Sequence, residues 1–272
     1  MRIAFLILLF LLQTACTALN ARKPTSPPSS TADACDRATQ TQAIPIGPLP
    51  VQIKGDGVIT NGRILNTMPN ETIRISIGQI QENGSIKFGV VGVTQKGSDY
   101  KVVLDYVKFR VKSLLLYDSL NCDNNFRATA FYDIGVGLRM EANLHSNEAG
   151  LDISNLYGLG LAAQHNQVSG TLTVQTMGIT GASITPLLPM PQELSVNAIQ
   201  NAIQAIATIK AKIFTEAGAG GAASNDLKIR PQLISVAAMN AKAGHLPEIA
   251  DYLLTNGSPD NNEPFVFVIE PD

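Results

Sequence analysis

Alternation of apolar and polar residues dominates the first two thirds of the chain. Between Thr72 and Ile77, Ile73, Ile75 and Ile77 fall on one face and Thr72, Arg74 and Ser76 on the other. That period of two predicts a half-buried strand. Asn83 and Gly84 form a dipeptide suited to a tight hairpin turn, and Ile86, Phe88 and Val90 supply a return strand over 85–94. A second turn at Lys96, Gly97, Ser98 and Asp99 leads into 100–116, too long for one flat strand; it predicts a strand to about Val111 and then a bend or bulge. From Ala128 to Leu144 the alternation returns, with Ile134, Val136, Leu138, Met140, Ala142 and Leu144 on one side. Gly135, Gly137, Arg139, Glu141 and Asn143 occupy the other, and glycines on that polar side predict close backbone approach or curvature. Residues 150–160 read as a loop with room for a short helical turn. A further strand follows over 168–179, with Thr171, Thr173 and Gln175 along one side.

The period then changes. Ser195 is an N-cap, and Val196, Ile199, Ile203, Ile206, Ile209 and Ile213 recur at three-and-four spacing, which predicts a long helix with a narrow isoleucine stripe. A Gly/Ala-rich break covers 217–224. Residues 227–238 begin with strand-like alternation, but Pro231 argues against a central strand. A short helix is predicted from Pro247 to Thr255 with Gly257 as its cap, and 265–269 ends the chain as a strand that docks on a sheet begun earlier. Strands followed by helices, without strict βα alternation, predict an α+β fold: an antiparallel β-rich domain, sandwich or curved sheet, with one long and one short C-terminal helix. The boundaries that follow are a β-rich region at 44–191 and, at 192–272, a helical segment with a terminal strand packing on the same domain.

The first forty residues have a different character. Arg2 precedes an unbroken apolar run from Ile3 to Leu12, and Gln13, Thr14, Ala15 and Cys16 form its exit. One positive charge, an apolar stretch too short to span a bilayer and a small-residue exit predict a secretory signal peptide over 1–15. With Leu12, Thr14, Ala15 and Cys16, this exit resembles the lipobox of bacterial lipoproteins; Gln13 stands where that pattern has Leu, with Leu12 one place earlier. The resemblance implies that Cys16 becomes an acylated N-terminus and that Thr17 after it favours sorting to the outer membrane. Ordinary cleavage after Ala18 is the alternative. Pro24, Pro27 and Pro28 in a Ser/Thr-rich setting make 16–43 a tether with too little apolar surface to order itself. Pro45, Pro48 and Pro50 then predict that 44–50 enters the fold as an extended edge. Cys35 and Cys122 are the candidates for a structural disulfide in an oxidising compartment, far apart in sequence and without a Cys-x-x-Cys pattern.

Charge and motif narrow the chemistry further. Twenty Lys and Arg against 22 Asp and Glu leave no electrostatic footprint for nucleic acid. Charged residues make up only 15%, a composition suited to an envelope protein or to a homo-oligomer that hides surface. His145, His165 and His245 lack partners at zinc-motif spacing, so no metal or cofactor is expected. No Gly-x-Ser-x-Gly occurs; Gly135 and Gly137 lack a dinucleotide fingerprint's third glycine, and Gly218–Gly221 lacks the ending of a phosphate loop. Asp118 and Asp123 lie in an Asn-rich loop without the ordered frame of a calcium site, which predicts a solvated loop. Residues 243–257 look like the second-helix half of an ankyrin repeat, but no companion half lies upstream, and a capped helix accounts for them.

These features predict an exported bacterial envelope lipoprotein, a non-catalytic accessory, assembly or binding factor at the outer membrane, with the membrane and an envelope protein as partners. Two alternatives stand beside it. Strands at 131–144 and 168–179 could line an oligomeric translocation pore, although no aromatic girdle flanks them. An envelope hydrolase would need a site assembled from distant residues.

Overall fold

The run of alternation from Ala128 onward becomes the strand around which the sheet is organised. A computed structural model describes residues 43–90, 92–115, 128–218, 226–239 and 265–269. In it β6 (Thr129–Ser146) pairs antiparallel with β5 (Asp99–Leu115) along its whole length, from Asp99 opposite His145 to Leu115 opposite Thr129. Its other edge is divided. β11 (Gln232–Met239) takes Thr129–Gly135 and β7 (Val168–Met177) takes Gly137–Ser146. Beyond β5 lie β3 (Asn70–Ile80) and β4 (Ile86–Phe88), beyond β11 lies β1 (Ile44–Pro50), and beyond β7 lies β9 (Gln192–Glu193). The fold is α+β, and among the described residues its main sheet is open and antiparallel.

The division of the β6 edge has a local cause. Gly178 ends β7 with φ +67°, and its carbonyl accepts a hydrogen bond from the Arg230 amide at 2.8 Å. There the two neighbours of β6 turn away and pair with each other, as β8 (Ile179–Thr180) against β10 (Lys228–Ile229). Pro231 falls in the gap between β10 and β11, so β11 lies inside the sheet with no proline in its own ladder. The objection that Pro231 raised to a central strand is met by where the strand starts. The last strand, β12 (Val266–Ile269), runs parallel to β2 (Gln52–Gly55) in a separate two-stranded sheet, so the late strand docks on an early one outside the main sheet.

Helices cover the apolar side of β5 and β6. Ser195 caps α3 (Val196–Gly218) by accepting from the Ala198 amide at 3.1 Å, and Ile199, Ala202, Ile206, Ile209 and Ile213 are buried in the core with Leu104, Leu138 and Met140. Beside it lie α1 (Asn61–Asn66), capped by Thr60 and burying Ile64 and Leu65, and α2 (Leu156–Gln164), capped by Asn155. A full helix at α2 exceeds the expected turn. The Asn155 cap and the spacing of Leu156 and Leu159 are its local cause, and Gly158 and Gly160 obscure it in the sequence.

Three further strand expectations shift. β5 runs without a break to Leu115, because β6 pairs with it residue for residue past the point where β3 ends at Asn70 opposite Phe109. The return strand after Asn83 and Gly84 forms at β4 but stops at Phe88, where Gly89 takes φ +91°. Arg139, read as part of a polar face, is buried at 2% exposure, and so is much of the sheet around it. Val107, Phe109, Met177 and Ile234 make a second, smaller apolar cluster on that side. Gly137 lies in register between Val107 and Met177, and a Cβ there would stand 2.1 Å from the Tyr106 carbonyl oxygen. The expectation of close approach at the glycines is met, and replacing Gly137 by Ala is expected to destabilise the fold by roughly 1–3 kcal/mol in urea unfolding, as overpacking does.

Candidate functional site

The polar groups of the described residues gather into clusters that hold elements together. Register places Arg74 of β3, Asp105 of β5, Arg139 of β6 and Gln175 of β7 in one row across the sheet. Arg139 donates through Nε to Asp105 Oδ1 at 2.6 Å and through Nη2 to Oδ2 at 2.7 Å, a bidentate pair. Its Nη1 donates to the Ile46 carbonyl of β1 at 2.6 Å and Nη2 also reaches the Ile234 carbonyl of β11 at 3.3 Å. One guanidinium thus bonds to three strands beside its own. Burial pushes the Asp105 carboxyl above its ordinary value, against the pull of Arg139. Next to this pair, Arg74 stacks on the Phe109 ring at 4.4 Å and pairs with Asp133, which also accepts from Ser235.

A second cluster ties α3 to the sheet. Lys210 Nζ donates to Glu71 Oε1 at 2.6 Å and lies 4.4 Å from the centre of the Tyr106 ring, while the Tyr106 hydroxyl donates to the same carboxylate oxygen at 2.9 Å. The Lys210 hydrogen bond, with that of Tyr106, holds Glu71 below the usual carboxylate range against a modest cost of burial. Burial and then the adjacent carboxylate push the Tyr106 phenol well up, so it stays a donor. Lys210 and Glu71 are partly exposed, so the pair itself adds little to stability.

Between α2 and α3 lies an apolar groove of about 260 Å³. Leu156, Tyr157, Gly160, Leu161 and Gln164 form the α2 wall, and Val196, Ile199, Gln200 and Ile203 the α3 wall. No charged side chain lines it. Tyr157 is 77% exposed at its rim, and Ile203 is 44% exposed although it belongs to the isoleucine stripe that otherwise enters the core. The stripe is slightly wider than the surface the sheet covers, and the surplus faces the groove. Gly160 forms part of its floor, where a Cβ would make ordinary contact with Val196 at 3.5 Å.

Cys16, Cys35 and Cys122 lie outside the described residues, as do His245, Asp118, Asp123, the short helix expected over 247–255 and the ankyrin-like stretch 243–257. His145 pairs through Nδ1 with Asp99 at 2.8 Å on the exposed end of β6 and does not line the groove, and His165 is the C-cap of α2. Among the described residues no group of three or more His, Cys, Asp or Glu is placed to hold a metal ion, and no helix is long and apolar enough to cross a membrane. The strands considered as a pore hairpin, β6 and β7, are adjacent, with the apolar side of β6 in the core. The groove is not legible from a short turn expected within 150–160, where α2 forms a full helix, and Ile203, exposed between buried Ile199 and Ile206, carries no sign in the sequence of lying outside the core.

Fold and site together define an α+β protein with a helix-covered open sheet, a buried ionic lock and an apolar surface groove. Comparison of the chain with protein families, curated proteins and solved structures finds no match.

Two measurements test the polar clusters. Arg139→Met is expected to destabilise the protein by about 3–5 kcal/mol, because it strands a buried carboxylate, whereas Arg139→Met with Asp105→Leu recovers most of the loss. For Glu71, the lowered value means that its contribution is fully present above the unfolded-state value near 4.5 and is lost as pH falls through the lower folded-state value. The urea midpoint of Glu71→Gln therefore lies below wild type at pH 6, and the gap closes as the pH is lowered toward 3.

Proposed function

We propose that this chain is an exported envelope lipoprotein whose folded part works by binding rather than by catalysis, as an accessory or assembly factor at the outer membrane. The observation that carries the reading is the groove between α2 and α3, apolar and free of charged side chains, on a molecule whose paired charges elsewhere brace the sheet. A neutral groove with Tyr157 and two glutamines at its edges suits an apolar segment of a partner protein. The run from Ile3 to Leu12, the exit at Cys16 and the Pro/Ser/Thr-rich stretch after it support export and anchoring through a lipid. Support for a pore is weaker, since the side of β6 that would face lipid packs against helices. A hydrolase draws none from His145, whose partner Asp99 sits on open surface.

Cys16→Ala is expected to move the protein from the membrane to the soluble fraction. A photo-reactive residue at Ile203 should form an adduct with an envelope protein, and Leu161→Asp in the same chain should abolish it. Unchanged membrane association sinks the lipid anchor; an adduct formed equally well from Lys87 on β4 sinks the groove.

A further inference from the structure

The two flanks of the main sheet are built differently. One ends in β1, which carries Pro45, Pro48 and Pro50 and breaks register against β11. Prolines and irregular pairing are ordinary protections of a sheet edge. On the other flank β4 covers only Gly78–Ile80 of β3. The rest of β3 is an edge with neither proline nor bulge, since its register against β5 is unbroken from Asn70 to Gln79.

One hydrogen bond fixes the direction of the backbone groups on that edge. The Ile77 carbonyl accepts from the Gly89 amide at 3.1 Å, on the β4 side, and backbone groups alternate in direction along a strand. Glu71, Ile73 and Ile75 therefore also turn their amides and carbonyls away from β5. Among the described residues no strand pairs with those three, and the Ile73 carbonyl meets the adjacent Thr72 hydroxyl at 3.4 Å. At the middle of the stretch the Ile73 side chain is 66% exposed. The charges beside it do not guard the edge, because Arg74 is drawn to Asp133 and Phe109, and Glu71 to Lys210 and Tyr106.

A second copy of the chain matches this edge in one register. Antiparallel pairing about a two-fold axis at Ile73 sets Glu71 against Ile75 of the second copy, Ile73 against Ile73 and Ile75 against Glu71, which takes up every amide and carbonyl that the three present. Ile73 meets its own apolar counterpart, Arg74 falls opposite Thr72, and no charge meets a like charge. With the axis at Thr72, Ile75 is left out; with the axis at Arg74, Glu71 is left out and two arginines face each other. We propose that the chain forms a two-fold dimer through β3, which continues the sheet of one copy into the other. The proposal stands apart from the lipid anchor and from the groove.

Hydrogen exchange on the full chain in detergent tests it without a variant. The amides of Glu71, Ile73 and Ile75 are expected to exchange at least about ten-fold slower at about 100 μM than at about 1 μM, while those of Thr72 and Arg74, which point to β5, keep one rate. Sedimentation at the higher concentration should give the mass of two chains for the wild type and for Cys16→Ala, which removes the proposed lipid attachment. Ile73→Lys should give the mass of one chain with an unchanged urea midpoint. With Cys35 and Cys122 replaced by Ser, a chain carrying both Asn70→Cys and Ser76→Cys should oxidise to a covalent dimer, because the two positions face each other across the axis. Asn70→Cys alone should not, since its two copies lie roughly 20 Å apart. A single-chain mass for the wild type, or protection of the three amides only when another envelope protein is added, overturns the proposal. So does a dimer that Ile73→Lys leaves intact.

Discussion

The structure depends on a buried charge pair that a sheet of this kind would ordinarily avoid. Arg139 and Asp105 sit opposite each other on neighbouring central strands, both almost wholly out of water. Taking two such charges from water costs several kcal/mol each, and their attraction offsets this only when the remaining donors are satisfied. Here the fork takes up Asp105, and the carbonyls of Ile46 and Ile234 accept from Nη1 and Nη2, so that each guanidinium nitrogen has a partner. Those two carbonyls are presented by irregular pairing: β1 breaks register between Pro45 and Leu49, and β11 shifts between Leu233 and Ser235 around Ile234. The irregularities and the ion pair thus require each other, and together they bind β1, β11, β6 and β5 in one cross-sheet brace.

Around that brace the sheet is buried on two sides for different reasons. On one, isoleucines of α3 and residues of α1 and α2 meet the apolar row of β6. On the other, Gly135 and Gly137 let β5 approach closely, Val107 lies in register with Met177 across the bare position of Gly137, and Arg74 pairs with Asp133. An alternating strand with one polar face ordinarily has that face in water. Glycine and an arginine with a partner at each guanidinium nitrogen make it possible to cover both. The covering leaves an apolar groove between α2 and α3 open at the surface.

Much of this was legible from local pattern. The spacing of Ile199, Ile206, Ile209 and Ile213 and the Ser195 cap define α3, the alternation of Ile134 to Leu144 defines β6, and three prolines mark β1 as an edge, because each property acts within a few residues. The short apolar run before Cys16 is readable for the same reason, and the export proposed from it concerns the location of the chain rather than its chemistry. What could not be read were relations between distant residues. Nothing near Arg139 in the sequence distinguishes it from a solvated arginine on a polar face; its partners are 34, 93 and 95 positions away. Likewise Ile203 looks like one more core residue until the position of α2 leaves it outside.

By itself, then, the sequence determined the period of each element, its caps and stops, and the character of the N-terminus, all consequences of steric and hydrogen-bonding preferences over one or two turns or a single strand. Only the tertiary structure decided that β6 would divide its edge between β7 and β11, that Arg139 would be buried rather than hydrated, and that the last strand would pair with β2. Those outcomes depend on which backbone carbonyls and side chains meet after the chain closes long loops, and a buried charge is stable only where all of its partners arrive at once.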